Sequence, residues 1–199
     1  QDTVASQDKW IRYIREEAQR MKGLVEDMLF LAKHDDARRP TKSQLCNLSD
    51  LTTGCVLRFE SVAFESGVEL DSEIQPGLTL QGDLDCLERL VMILLDNAVK
   101  YAGDPGRVRL ELQRRQERAV LSVTNTGAPI PQEHLEHLFQ RFYRVDGSRS
   151  RKEGGYGLGL AIAQTIVQAH RGQIEVKSDA QSGTCFTVTL PRVSVQKQG

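Results

Sequence analysis

Apolar residues recur at every seventh position through the first 36 residues. Val4, Ile11, Ala18, Val25 and Ala32 occupy one position of the repeat, and Ile14, Met21 and Met28 the facing one, a series that Gln7 interrupts once. Trp10, Leu24, Leu29 and Leu31 broaden the stripe beyond a two-stranded seam. No glycine occurs before Gly23 and no proline before Pro40, so the pattern predicts one long helix over 1–36. A single helix cannot bury so wide a stripe. The pattern therefore calls for a helical bundle, or else for packing on the chain's own globular part. The charged stretch from Asp35 to Lys42 contains Pro40 and ends the helix, and 37–43 reads as a linker.

From residue 44 to 193 helix and strand signals alternate. Ser49 is placed to cap a helix reaching Glu65, with Gly67 as its stop signal. Val68–Ile74 and Leu78–Gln81 read as strands. Asp83 caps a helix whose apolar face is Leu87, Leu90, Val91, Leu94, Leu95 and Ala98. Val108–Leu112 and Ala119–Val123 alternate around a polar turn, as a hairpin does. A short helix opens at Pro131, and a longer one spans Leu158–His170, closed by Arg171 and Gly172. Ile174–Val176 and Cys185–Leu190 supply the last strands, and 194–199 is a tail. The economical architecture is α+β: an α/β sandwich whose mixed, mainly antiparallel sheet is covered on one face by helices, preceded by the long bundle-forming helix.

Composition narrows the function classes. At 39% hydrophobic and 27% charged, the 199 residues suit one domain plus an appendage. A net charge of −1 offers no field for nucleic acid or an anionic membrane. The longest apolar run, Leu90–Leu95, is too short to span a bilayer. The polar start at Gln1 is unlike a signal peptide, and the chain reads as a piece of something longer. Cys46, Cys55, Cys86 and Cys185 lack C-x-x-C spacing and are expected to be buried free thiols.

Three groups of residues carry candidate chemistry. Asn97, Lys100 and Tyr101 share one stripe of the helix that Asp83 opens. An amide oxygen suits Mg²⁺, a lysine a phosphate, and a tyrosine the flank of a base; a plain surface stripe has the same spacing. Gly155, Gly157 and Gly159 precede a helix, which lets backbone amides approach phosphates closely. Asn125 and Gly127 form a polar turn after a strand.

Taken together, and in this order, four segments resemble the N, first glycine, F and second glycine boxes of the sensor histidine kinase catalytic domain. They are Leu94–Tyr101, Asn125–Ile130, Phe139–Arg144 and Gly155–Leu160. The resemblance implies an ATP site with Mg²⁺ held by Asn97 and nucleotide contacts from Lys100, Tyr101, Asn125, Gly127, Ile130, Gly155, Gly157, Leu158, Gly159 and Leu160. Residues 144–154 match the ATP lid, with Arg144 and Arg149 as phosphate contacts and Lys152 as a further candidate. Phe139, Phe142 and Tyr143 would anchor the base of that lid. Gly183 and Thr184 resemble the end of a third glycine box, in which Gln181 stands where a glycine is usual.

Three departures from the family pattern bear on chemistry. Asn125 replaces the aspartate that accepts from the adenine amino group, which should weaken that contact by about 1 kcal/mol. Pro129 replaces a glycine, and Tyr156 stands where a small residue is common. Ile93 sits where related ATPases carry a glutamate that activates water; lacking a proton acceptor, it points to phosphoryl transfer over hydrolysis.

Residues 1–36 resemble the second helix of the dimerisation and phosphoacceptor hairpin. The acceptor histidine would then fall before Gln1, and this chain alone is expected not to autophosphorylate. His34 at an exposed heptad position, His134 and His137 in solvent, and His170 serving the helix macrodipole are the expected roles of the four histidines. The resemblance implies transfer of the ATP γ-phosphoryl group to a histidine and onward to an aspartate of a response-regulator receiver domain. It also implies homodimerisation through the first helix, and a cytoplasmic position in a membrane-anchored sensor. A non-catalytic nucleotide-sensing or interaction module and an anti-sigma-factor-like serine kinase share parts of the pattern.

Overall fold

A computed structural model describes residues 4–34, 43–145 and 156–191. The heptad segment forms one helix, α1 (Val4–His34). Most of its apolar stripe faces water: Trp10, Ile11, Ile14, Met21, Val25, Met28 and Leu29 are exposed. Its last turns pack on the remainder of the chain, with Leu31 buried and Leu24 and Phe30 partly so. Arg89 pairs with Asp27 there and lays its guanidinium 4.3 Å from the centre of the Phe30 ring. Burial raises the Asp27 carboxyl above its usual range, and Arg89 opposes that rise.

Five strands, β2 (Val68–Ile74), β4 (Gly106–Arg115), β5 (Arg118–Asn125), β6 (Gln173–Asp179) and β7 (Gly183–Pro191), form one sheet in the order β2-β4-β5-β7-β6. The β2–β4 pair is parallel and the other three are antiparallel. Alternation sends Val108, Leu110, Leu112, Val123, Phe186 and Val188 to one buried face. Against that face pack α2 (Leu48–Glu65), α3 (Leu84–Lys100) and α5 (Gly159–Ala169). The i, i+3, i+4 spacing in α3 buries Leu87, Leu90, Leu94, Leu95 and Ala98 completely. Each leucine contributes about 1.5–3 kcal/mol, so this helix is held by its core face and not by its polar one.

Several local expectations are corrected. The N-cap of α2 is Asn47, whose side chain accepts from the amides of Ser49 and Asp50. Ser49 instead donates to the Gln75 carbonyl (2.6 Å) and accepts from the Leu78 amide (3.0 Å), stapling α2 to the turn after β2. The strand near residue 80 is β3 (Thr79–Gly82), which lies outside the main sheet and pairs with an unforeseen strand, β1 (Gln44–Asn47). Cys46, Cys55 and Cys86 are buried, whereas Cys185 is half-exposed. Burial pushes the Cys86 thiol up to about 11, helped by the nearby Asp83 carboxylate.

The expected histidine roles change most. His170 is buried, and its Nε2 accepts from the Asp83 amide (3.0 Å) while Nδ1 faces the Ile166 carbonyl (2.7 Å). That pattern requires a neutral ring protonated at Nδ1, so a cation serving the macrodipole is not its role. His34 is half-buried, stacked on Phe30 at 4.1 Å with Nδ1 2.8 Å from the Phe30 carbonyl. In the short helix α4 (Gln132–Leu135), His134 lies with Nδ1 2.6 Å from the Tyr143 hydroxyl, and His137 alone of this pair is exposed.

Candidate functional site

The far end of α3 is the floor of the candidate site. Asp83 begins the helix by accepting from the Cys86 amide, and the apolar face then fixes its rotation. Asn97 and Lys100 are consequently half-buried at its rim, and Tyr101 is exposed at its C-cap. The Lys100 ammonium lies 5.6 Å from the centre of the Tyr101 ring. Desolvation raises the carboxyl of neighbouring Asp96, and Lys100 opposes that effect.

The turn after β5 meets this helix end closely. Gly127 has φ 124°, and a Cβ there would run into the Tyr101 carbonyl, so glycine is required. Thr126 donates its hydroxyl to the Ala102 carbonyl (2.7 Å) and accepts from the Arg107 amide (2.8 Å). Asn125 is only 3% exposed. Its Nδ2 donates to the carbonyls of Tyr101 (3.0 Å) and Thr126 (2.6 Å). Its Oδ1 is buried and has no partner among the described residues. A buried acceptor left unmade costs about 1–3 kcal/mol, and a ligand amino group would remove that cost.

Across β7 the register sets Thr184 opposite Asn125. Thr184 is buried, and its hydroxyl lies 2.7 Å from that of Ser178, which accepts from the Ile130 amide (2.9 Å). Ser178 was not foreseen; its only signal is its place two residues beyond Val176 in an alternating strand.

The third wall joins the F box to α5. Phe142 takes φ 64°, unusual for a non-glycine, and its amide donates to the Gly157 carbonyl (2.9 Å). A Cβ on Gly157 (φ 71°) would lie 2.8 Å from the Tyr143 carbonyl, so the two segments touch backbone to backbone. Phe139 packs edge-on to Phe186 with centroids 6.4 Å apart, but the Phe142 ring is 56% exposed. Anchoring by side-chain packing therefore applies to Phe139, while Phe142 acts through its backbone. Leu158 is buried and Leu160 half-buried. Leu158 at the N-cap offers no side-chain cap, which leaves the first amides of α5 as candidate donors among the described residues. The Ile93 side chain abuts Gly159, at 3.5 Å from where its Cβ would be. Arg144 has a buried Nη2 without a partner among the described residues. Arg149, Lys152 and Gly155 lie outside the described residues.

The sequence profile described as "Histidine kinase-, DNA gyrase B-, and HSP90-like ATPase" matches residues 82–194. The chain belongs to that family. It is 42% identical over 176 residues to the sensor histidine kinase CusS of Escherichia coli (strain K12), covering 88% of this chain and 36% of CusS. Among solved structures, full-length ShkA in complex with AMPPNP superposes with a TM-score of 0.83 at 24% identity, over 98% of this chain and 41% of ShkA. Histidine kinase ThkA in complex with response regulator protein TrrA gives 0.77 at 23% identity, over 97% and 53% of the two chains. At such identities the structural likenesses speak for the fold. The chain spans well under half the length of curated relatives that it matches, about 40% and 36% of two of them.

In this family member, the Asn125–Gly127 turn meets the end of α3 at Tyr101, the F box bonds Gly157, and Gly159 at the start of α5 abuts Ile93 of α3. Among the described residues no group of three metal-ligating side chains stands together, and no helix is long and apolar enough to cross a membrane.

Proposed function

We propose that this chain is the ATP-binding catalytic region of a two-component sensor histidine kinase, 44–193, preceded by a dimerisation helix over 1–36. The observation that carries the reading is the partnerless Oδ1 of Asn125, a buried acceptor beside the helix that bears Asn97 and Lys100. Its amide hydrogens are committed to two carbonyls, which leaves an acceptor of the kind an adenine amino group satisfies.

Around it the other residues divide the work. Asn97 offers an amide oxygen to Mg²⁺, which binds with few protein ligands, and Lys100 and Arg144 offset phosphate charge. Gly157, Leu158, Gly159 and Leu160 bring the amides of α5 towards the phosphates, and Gly127, Ile130 and Thr184 shape the base pocket. Bound ATP·Mg²⁺ supplies the transferable phosphoryl group; the chain's own contribution is positioning and charge neutralisation. Ile93 has no proton acceptor to offer a water, which favours transfer to a histidine over hydrolysis. The ThkA–TrrA complex supports a response-regulator receiver domain as the next acceptor. The same reading makes the intact protein a homodimer through α1, with this region on the cytoplasmic side of a membrane anchor.

Calorimetry with a non-hydrolysable ATP analogue tests it. Binding should strengthen with Mg²⁺, and Asn97→Ala should abolish the Mg²⁺-dependent part. No binding at millimolar nucleotide would favour a non-catalytic interaction module instead.

A further inference from the structure

The short helix α4 carries a contact that the ATP reading does not use. His134 is held with Nδ1 2.6 Å from the Tyr143 hydroxyl, and its Nε2 is 3.8 Å from a Glu133 carboxylate oxygen. The His137 ring covers the same phenol, with centroids 5.4 Å apart, and is itself tied to Gln140 at 2.9 Å. The Tyr143 phenol is thus held by His134 of α4 and by His137 just beyond it, while the preceding residue, Phe142, bonds the Gly157 carbonyl through its amide. Residues 141–145 form no helix or strand, so ladder hydrogen bonds do not fix their course. Contacts that hold it include the Phe142 amide to Gly157, the Tyr143 amide to Gln140 (3.3 Å), and the phenol. The next residue is Arg144, whose buried Nη2 has no partner among the described residues.

We propose that His134 is a positioning residue for phosphate recognition: through the Tyr143 hydroxyl it sets the path of the F-box turn, and so where the Arg144 guanidinium points. This rests on the ATP reading and deepens it, because it gives the terminal phosphate a second tier of support located on α4. His134 itself touches no nucleotide. Its effect is transmitted by one hydrogen bond to a ring and one peptide unit to a guanidinium, a distance over which misplacement is directly felt.

The test measures the affinity of the 199-residue chain, with Mg²⁺, for a non-hydrolysable ATP analogue and for ADP. His134→Ala and Tyr143→Phe should each lower the preference for the triphosphate roughly fivefold, the size of one lost hydrogen bond, while ADP affinity stays within about twofold. The double variant should lose no more than either single one, and His134→Asn, which restores a polar atom near the Nδ1 position, should recover part of the loss. In an Arg144→Ala background the His134→Ala effect should vanish. Equal weakening of both nucleotides together with a lower melting temperature would reveal a merely structural histidine and overturn the proposal. So would an unchanged triphosphate preference in His134→Ala when Arg144→Ala does reduce it. If Arg144→Ala leaves the triphosphate preference unchanged, this proposal fails while the ATP reading stands; if neither nucleotide binds the unmodified chain, the ATP reading fails first and this proposal falls with it.

Discussion

At the scale of single residues, Asn125 carries the most unusual demand. It donates twice to backbone carbonyls and is buried, so its amide cannot be exchanged for a carboxylate without consequence. An aspartate there would place negative charge against the carbonyls of Tyr101 and Thr126 and lose both donations. Although the wider family commonly carries aspartate at this turn, we expect Asn125→Asp to destabilise this chain by about 1–3 kcal/mol and not to tighten nucleotide binding. A melting point lowered by several degrees, with and without an ATP analogue, would bear this out. An Asn125→Asp protein that melts unchanged and binds the analogue more tightly would show that the two donations are dispensable. The asparagine was visible in the sequence as a departure from a pattern. Its two backbone partners were not, because one of them is 24 residues away at the end of another element.

At the scale of elements, the joints between helices decide what the sequence could show. Helix α3 was legible because eight buried positions repeat at helical spacing behind a capping aspartate. The β4–β5 hairpin was legible from its alternation, although its strands run several residues beyond the apolar stretch. Strand β1 was not legible: four residues with two of them exposed carry too little period to register. The joint made by His170 left no local trace either, since it bonds the start of α3 from 87 residues away. It also packs against Gly82, where an added Cβ would lie 2.8 Å from the ring. This one neutral imidazole ties the start of α3 to the end of α5, the two helices that wall the candidate site. His170→Ala removes a buried ring and strands the Asp83 amide. We expect a loss of about 2–4 kcal/mol in denaturant unfolding, compared with the unmodified chain at neutral pH. If the midpoint barely moves, water or a rearranged side chain must replace the imidazole, and the joint is not what couples the two helices.

At the scale of the whole molecule, the two ends of α1 behave differently. The C-terminal turns are fastened by Leu31, Phe30 and the Arg89–Asp27 pair, whereas the turns from Trp10 to Leu29 present an apolar stripe to water. Exposure of Ile14 (67%), Met21 (58%) and Val25 (54%) along one face is what a helix costs when its partner helices belong to another copy or another segment. The sequence showed the stripe and its breadth, but period alone does not say which chain covers it. If α1 pairs between copies, the chain should dimerise at concentrations on the order of 100 µM, with the weight-average mass in sedimentation equilibrium rising as concentration rises. Replacing Ile14 and Met21 together by glutamate should abolish that rise, because charges at seam positions oppose association. The sheet domain should melt as before, since neither side chain belongs to the buried core. A mass that stays at one chain throughout, in a protein whose α1 is helical by circular dichroism, would remove the second copy as the partner of this stripe. A loss of association accompanied by unfolding of the sheet domain would mean instead that the helix is part of that domain's own stability, contrary to its exposure.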